Sequence, residues 1–364
     1  MSGLPQRQSL VAQTATYLKA EIARGAWEEW LPGERRLCET LQVSRNTLRA
    51  ALEQLSEAGV IRPEHGLGSR IVHARPARAA RVRPRTACLL SAQSIEHLRP
   101  TQVLWIDELR ALLIEHDCKL HVMHGPQYFR ARPAAALSRL VHQHPHGCWI
   151  LMLAPEGTQS WFQEQGEPCV IAGTACSGIN LPFVDLDHRA LCRHAAGVLL
   201  GLGHRRIAFI TERTRRAGDV ASQQGFIEGV RSSRHAGAEP IIAGHEGTKE
   251  SVCTALQRLI DQPRPPTALL VVNPYFYLTI TSHLAQAGWR VPHDISVLSR
   301  DEDLFLSYLV PPPARYTIPP HVFARRLLRP VIELIESGVA TNPATSIMPE
   351  FIRGTSIGPP ARER

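Results

Sequence analysis

Residues 31–72, reading LPGERRLCETLQVSRNTLRAALEQLSEAGVIRPEHGLGSRIV, restrict the possible folds of this chain more than any other stretch. A short helix is expected over about 34–41, with Leu37 and Leu41 on one side, and Gln42-Val43 makes the turn after it. Ser44 then stands as an N-cap, its hydroxyl placed to accept a backbone N–H of the next turn. From there Leu48, Ala51, Leu52 and Leu55 recur at i, i+3, i+4 and i+7, an amphipathic helix closed by Gly59. Arg45, Asn46, Thr47 and Arg49 lie at its N-terminal end, outside the apolar stripe. A recognition helix presents side chains to base edges and phosphates from that end. Residues 60–72 read as a β-hairpin wing with a His65-Gly66-Leu67-Gly68 tip. The competing reading is a surface helix with a solvated charged face; the flanking helix and hairpin favour DNA recognition.

At LPGERRL, VSRNTLRAAL, the following L-x-x-x-G-V-I and HGLGSRIV, the chain resembles the GntR-type winged-helix DNA-binding domain, over about its first seventy-five residues. The resemblance implies that Arg35, Arg45, Thr47 and Arg49 contact phosphates or bases, with Ser44 capping their helix. It also implies that His65-Gly66 enters the neighbouring minor groove. Asn46 stands at a variable family position and is a candidate for specificity. The link Gly25-Ala-Trp-Glu-Glu-Trp30 is short, and Trp30 falls near the family's turn glycine. Trp27 and Trp30 are expected to pack helix 1, over about 9–24, against the motif rather than to touch DNA.

The rest of the 364 residues, 44% hydrophobic overall, suffices for further packed domains. A net charge of +8 suits a polyanionic partner. Arg75, Arg78, Arg81, Arg83 and Arg85 crowd the segment 74–85, an Ala/Arg/Pro linker without apolar period. Those arginines rest on phosphates or form a solvated charge run; the sequence leaves both open. Eight cysteines without a C-x-x-C pair, no signal pattern and no membrane-length apolar run fit a reducing cytoplasm.

Beyond the linker, short apolar runs alternate with amphipathic stretches. The runs begin at Ala87, Leu120, Trp149, Cys169, Ile207, Ala268 and Ile295; the stretches include Val103–Leu113 and Leu191–Leu199. That alternation predicts α/β units, parallel sheets covered on both faces, and two lobes over 86–358. AAGVLLGLGHRRIAFI (195–210), Gln224-Gly225-Phe226, PTALLVVN (266–273), GWRVPHDISVL (288–298) and FIRGTS (351–356) resemble, in order, the effector-binding domain of LacI/GalR-type regulators, itself similar to periplasmic sugar-binding proteins. The fold class expected is therefore an N-terminal winged helix-turn-helix (1–73) followed by a two-lobed, periplasmic-binding-protein-like α/β/α domain.

Such domains bind ligands between the lobes, at the carboxyl ends of strands. In the resembling family an arginine three residues before the Gly-Phe pair clamps the ligand; here that position is Ser222, followed by Gln223. The family's asparagine is kept as Asn273, and its Gly-aromatic-Asp-Asp turn reads Ser299-Arg300-Asp301-Glu302. The resemblance assigns ligand contacts to Ser222, Gln223, Asn273, Tyr275 and Asp301, and a carbohydrate as effector. Asn273 and Asp301 simply capping their turns is the competing reading. Trp149, Trp161, Tyr275, Phe276 and Tyr277 are either sugar-stacking aromatics or core.

His124, His142, His144 and His146 lack the ligand set of a closed metal site, and no metal or cofactor is expected. No P-loop, G-x-G-x-x-G or Ser-His-Asp context occurs, and neither Lys119 nor Lys249 is placed as a pyridoxal lysine, so an enzyme is not expected. The sequence thus reads as a DNA-binding transcription regulator, a repressor, partnered by an operator, a small-molecule effector and a second copy of itself, with no membrane. A non-sugar effector, a cleft without ligand and a transport-type binding protein stay as alternatives.

Overall fold

Leu18, Leu37, Leu48, Ala51, Leu55, Ile61 and Ile71 meet in one buried cluster, which joins three helices to a hairpin. In the computed structural model the described residues are 10–23, 27, 29–64, 68–71, 84–213, 216–233, 237–341 and 344–361. The chain forms two units, Met1–Val82 and Arg83–Arg364. The first holds α1 (Leu10–Ala23), α2 (Glu34–Leu41), α3 (Arg45–Glu57) and the antiparallel strands β1 (Ile61–Glu64) and β2 (Gly68–Ile71), with Ile61 opposite Ile71. Gln42 takes the left-handed conformation between α2 and α3, and Gly59 does so after α3.

Trp27 packs partly buried on this core, but Trp30 does not pack α1 as expected. Its segment pairs with the wing instead: Leu31 N donates to Ser69 O and Ile71 N to Glu29 O, and the Arg70 guanidinium lies 5.9 Å from the Trp30 ring. The short link leaves residues 29–31 extended beside β2, and an extended segment finds its backbone partners on a strand edge. The wing tip His65-Gly66-Leu67 and the linker arginines 75–83 lie outside the described residues. Arg85 belongs to the second unit, donating to the carbonyls of His116 and Asp117.

The second unit contains two six-stranded sheets. In the first lobe are β3 (Thr86–Ser91), α4 (Pro100–Glu115), β4 (Lys119–His124), α5 (Ala134–Gln143), β5 (Cys148–Met152), α6 (Glu156–Gln165), β6 (Cys169–Ala172) and β7 (Phe183–Leu186). The second lobe continues with α7 (His188–Gly201), β8 (Arg206–Glu212), α8 (Ala217–Arg231), β9 (Glu239–His245), α9 (Lys249–Ile260), β10 (Ala268–Val271), α10 (Pro274–Gln286), β11 (Ser296–Ser299) and β12 (Ala314–Thr317). The chain then returns for α11 (Pro320–Glu336) and β13 (Ala344–Ile347) in the first sheet, and ends with β14 (Glu350–Ile352) in the second. Strand orders are β13-β7-β6-β5-β3-β4 and β14-β12-β11-β10-β8-β9, all parallel except β14.

Every residue of β5 is buried, because Cys148, Ile150 and Met152 face one helical layer while Trp149 and Leu151 face the other. Gly225 and Gly229 let α8 approach α7: a methyl at Gly225 would sit 2.1 Å from Arg189 O, and one at Gly229 2.8 Å from Ala196 Cβ. Each sheet reverses its winding next to its first strand, β3 or β8, which is where open α/β sheets in general leave room at the carboxyl ends of their strands. No helix among the described residues is long and apolar enough to cross a membrane.

Two buried histidines, His204 and His245, are expected to make this unit acid-sensitive. His204 is 1% exposed; its Nε2 lies 2.8 Å from Gly358 O and its Nδ1 2.8 Å from Thr267 Oγ1. Burial holds its pKa below the ordinary histidine value, and does the same for His245. The unfolded chain therefore binds more protons than the fold as pH drops below about 6.5. Stability is complete above that value and is lost as pH falls toward the depressed folded pKa values. The melting temperature is expected to be lower at pH 5.5 than at 7.5, with a shallower dependence in His204→Gln; equal melting at both pH values contradicts this.

Candidate recognition helix and interlobe site

In α3 the Ser44 Oγ accepts the Thr47 backbone N–H at 3.1 Å and shares a 2.8 Å hydrogen bond with the Thr47 hydroxyl. Ser44 is thus the predicted N-cap, and it holds the first turn so that Arg45 and Asn46 stand exposed. Arg49, one turn on, pairs with Glu34 of α2 at 3.0 Å, and Arg35 with Glu39 at 3.1 Å. All four side chains are solvent-exposed, and pairs of that kind are worth at most about 1 kcal/mol. They are weak enough to be exchanged for a phosphate. Arg45, Asn46, Thr47 and Arg49 cluster at one helix end, where the positive pole of α3 adds to their charge.

The second site lies where α8 meets the turn after β11. Asp301 Oδ1 accepts Arg300 Nε at 2.8 Å, and Asp301 Oδ2 accepts Arg300 Nη2 at 3.0 Å. Arg300 Nη1 reaches α8, donating to Asp219 Oδ1 at 3.1 Å and to Ser222 Oγ at 2.9 Å. From the first lobe, Arg99 Nη1 donates to Asp301 Oδ2 at 3.1 Å, so an ion pair spans the lobes. Burial alone would raise the Asp301 pKa, but Arg300 and Arg99 outweigh it and hold the carboxyl far below the carboxylate range. Burial would likewise lower Arg300, and Asp301 and Asp219 keep it charged.

A second group adjoins this one. His188, opening α7, places Nε2 3.3 Å from Asp185 Oδ2 at the end of β7, and Thr174 Oγ1 donates to the same oxygen. Burial raises the Asp185 pKa, but His188 and the Thr174 and Leu186 donors prevail and keep it ionised. A Cβ at Gly218, in the first turn of α8, would lie within 3.2 Å of His188 and Thr174 atoms. The two groups therefore share the start of α8.

Of the sequence-assigned ligand residues, Ser222 and Asp301 come together through Arg300, and Gln223 follows half-buried on α8. Asn273 commits its Oδ1 to the Tyr275 N–H at 2.9 Å and caps α10, the competing reading of the sequence. Tyr275 is stacked on Phe305 with centroids 5.5 Å apart, because the first turn of α10 directs it outward. Trp149, Trp161 and Tyr277 are core. His146 hydrogen-bonds His121 at 2.9 Å, and among the described residues no three His, Cys, Asp or Glu side chains are grouped to hold a metal.

The sequence reading missed Arg99, Asp185, His188 and Asp219. Two of the departures from the family pattern, serine for arginine at 222 and arginine for an aromatic at 300, compensate each other. The guanidinium missing from α8 comes from the β11 turn and docks on Ser222. Reading the two departures as a pair would have found Arg300; nothing local marks the other four.

Known proteins share both parts of this architecture. Residues 10–71 match the model of bacterial regulatory proteins, gntR family, and residues 196–357 that of a periplasmic binding protein-like domain. Among curated relatives, the HTH-type transcriptional regulator CelR of Thermobifida fusca is 25% identical over 213 residues, 57% of this chain and 62% of the relative. AglR of Rhizobium meliloti (strain 1021) is 29% identical over 38% of this chain and 39% of its own length. The HTH-type transcriptional repressor CytR of Escherichia coli (strain K12) is 28% identical over 40% and 42%. The chain thus spans about three fifths of the first of these relatives and two fifths of the others. A structure of a transcriptional regulator CelR-cellobiose complex superposes with a TM-score of 0.66 at 20% identity, covering 96% of this chain and all of that one. A putative LacI transcriptional regulator from Bacillus cereus subsp. cytotoxis NVH 391-98 does so at 0.67 and 19%, over 75% of this chain and 98% of its own. The chain joins a domain of the gntR family of bacterial regulatory proteins to a periplasmic-binding-protein-like domain.

Proposed function

We propose that this chain is a transcription regulator, a repressor rather than an enzyme, that binds operator DNA through α3 and a small effector between the lobes of its second unit. The carrying observation is the pairing of an exposed basic helix end with a polar cluster spanned by the Arg99–Asp301 ion pair. A ligand entering there meets groups from both lobes, so it changes how they close, and such a coupling reaches DNA affinity. The effector is a carbohydrate; cellobiose in the CelR complex and ribose in a LacI family regulator from Enterococcus faecium support this class. The regulator works in the cytoplasm as a homodimer on a two-fold site, since one wing reads few base pairs. Tyr275 and Leu278, exposed on α10, suit such a contact, whereas α8 is largely used against α7.

The test is fluorescence anisotropy of the full chain on DNA selected from a random pool, with and without cellobiose, maltose or ribose. One sugar is expected to change DNA affinity by roughly 5- to 150-fold, and DNA to change affinity for that sugar by the same factor. Light scattering should give a dimer. No enrichment of DNA sequence removes the reading.

A further inference from the structure

Two arginines grip opposite ends of α4, and each ties it to a different part of the chain. At the N-terminal end Arg99 is fixed to the helix by its own backbone. Its N–H donates to Gln102 Oε1 at 3.0 Å, and its carbonyl accepts the Gln102 and Val103 N–H groups at 2.8 and 3.1 Å. Its guanidinium reaches the other lobe and donates to Asp301 Oδ2. At the C-terminal end the carbonyls of His116 and Asp117 accept Arg85 Nη2 at 2.5 Å and Nε at 3.3 Å. Lys119 N donates back to Arg85 O at 3.0 Å. Arg85 is the last residue of the linker segment and leads directly into β3. A methyl at Gly147 would lie 2.2 Å from Pro84 O, so the entering chain is seated against residue 147 as well as against the end of α4.

Between these ends α4 is a stiff rod. Its 16 residues span about 24 Å. It has no glycine and its one proline stands at the first position, so nothing in it favours a kink. Trp105, Ile106, Leu109 and Leu113 are buried in one cluster with Leu327 and Val331 of α11, and Trp105 packs on Phe323 with ring centroids 5.1 Å apart. Packed helices slide past one another by small amounts, on the order of 1–2 Å. A straight helix carries such a shift from one end to the other.

We infer that α4 couples the interlobe cleft to the linker, with Arg99 as the residue that holds it to the other lobe and Arg85 as the residue that passes a shift on. The inference rests on the reading of the chain as an effector-controlled regulator of DNA, and it names the regulatory connection within it. Asp301 Oδ2 accepts both Arg300 Nη2 and Arg99 Nη1, which uses its two lone pairs. A group that donates to this oxygen displaces one of them, and Arg99 is the weaker holder. It makes one bond there and is a quarter exposed, whereas Arg300 is buried and makes four bonds across the cluster. Release of Arg99 frees the N-terminal end of α4 from the second lobe. The shift then arrives where Arg85 grips the far end, and it changes how the linker is presented to the first unit.

The experiment uses the full chain as parent, Arg99→Gln, Arg85→Gln and the double variant, with Arg99→Lys as rescue and Arg110→Gln as a control on the same helix. Hydrogen exchange read by mass spectrometry needs neither sugar nor DNA. Arg99→Gln should speed exchange at least about fivefold in peptides covering 116–120, whose amides close the far end of α4, and Arg99→Lys should stay near the parent. Acceleration confined to the surroundings of residues 99 and 301 overturns the inference. The second readout is fluorescence anisotropy on DNA selected from a random pool, without sugar. Arg99→Gln and Arg85→Gln should each change DNA affinity by at least about fivefold. The double variant should match Arg85→Gln, because both residues act through one helix. Arg110→Gln should leave the affinity as it is. Effects of the two arginines that multiply, with the salt slope lowered by about one in Arg85→Gln, would make Arg85 a direct phosphate contact and overturn the inference. So would an unchanged affinity of Arg99→Gln for DNA that the parent binds; both results leave the regulator reading standing. A parent that enriches no DNA removes that reading and the inference together.

Discussion

Arg300→Ala is expected to destabilise the second unit by about 3–5 kcal/mol, the cost of breaking a buried ion network from one side. The substitution removes four hydrogen bonds and leaves Asp219 and most of Asp301 uncompensated in a region where both carboxylates are largely shielded from water. At roughly 2–4 °C per kcal/mol for a domain of this size, melting should fall by on the order of 10 °C. Arg300→Lys keeps the charge but cannot form the fork to both Asp301 oxygens, so it should recover only part of the loss. Arg99→Ala provides the contrast. Arg99 is a quarter exposed and contributes one bond, and Asp301 retains Arg300 without it, so the loss should be much smaller. Arg300→Ala melting within about 1 °C of the parent would mean that Arg300 does not hold α8 to the β11 turn.

Arg45→Ala and Arg49→Ala should each weaken operator binding by about 1–3 kcal/mol, roughly 5- to 150-fold, without changing the melting of the first unit. Both side chains are exposed, and the Arg49–Glu34 pair is too solvated to stabilise the fold measurably. If either contacts a phosphate, its loss also flattens the dependence of log affinity on log salt by about one. If it contacts a base, the slope is kept and preference at one position relaxes. The titration thus separates the two roles for each arginine. Full-strength binding by both variants removes α3 as the recognition helix.

Much of this architecture was legible in the sequence because its causes are local. Ser44 caps α3 through an N–H three residues away, and Leu48, Ala51 and Leu55 share a face because a helix turns every 3.6 residues. The runs at 87–90, 149–153 and 268–272 announce central strands, since a strand buried on both faces must be apolar throughout. Strands β7, β9, β12 and β13 were passed over; they are short or lie at or near sheet edges, and carry Asp185, Pro240, Arg315 and Thr345 among their apolar residues. The site itself was decided by tertiary structure. Arg99 and Asp301 are 202 positions apart, and Ser222 and Arg300 are 78. The packing of α8 against α7 and the parallel order of β8, β10 and β11 bring Ser222 to Arg300, and the meeting of the two lobes brings Arg99 to Asp301. Burial then sets their chemistry, since the removal of water makes each arginine and carboxylate depend on the other. Nothing about an aspartate or an arginine in isolation reveals which partner it will be left with once water is gone.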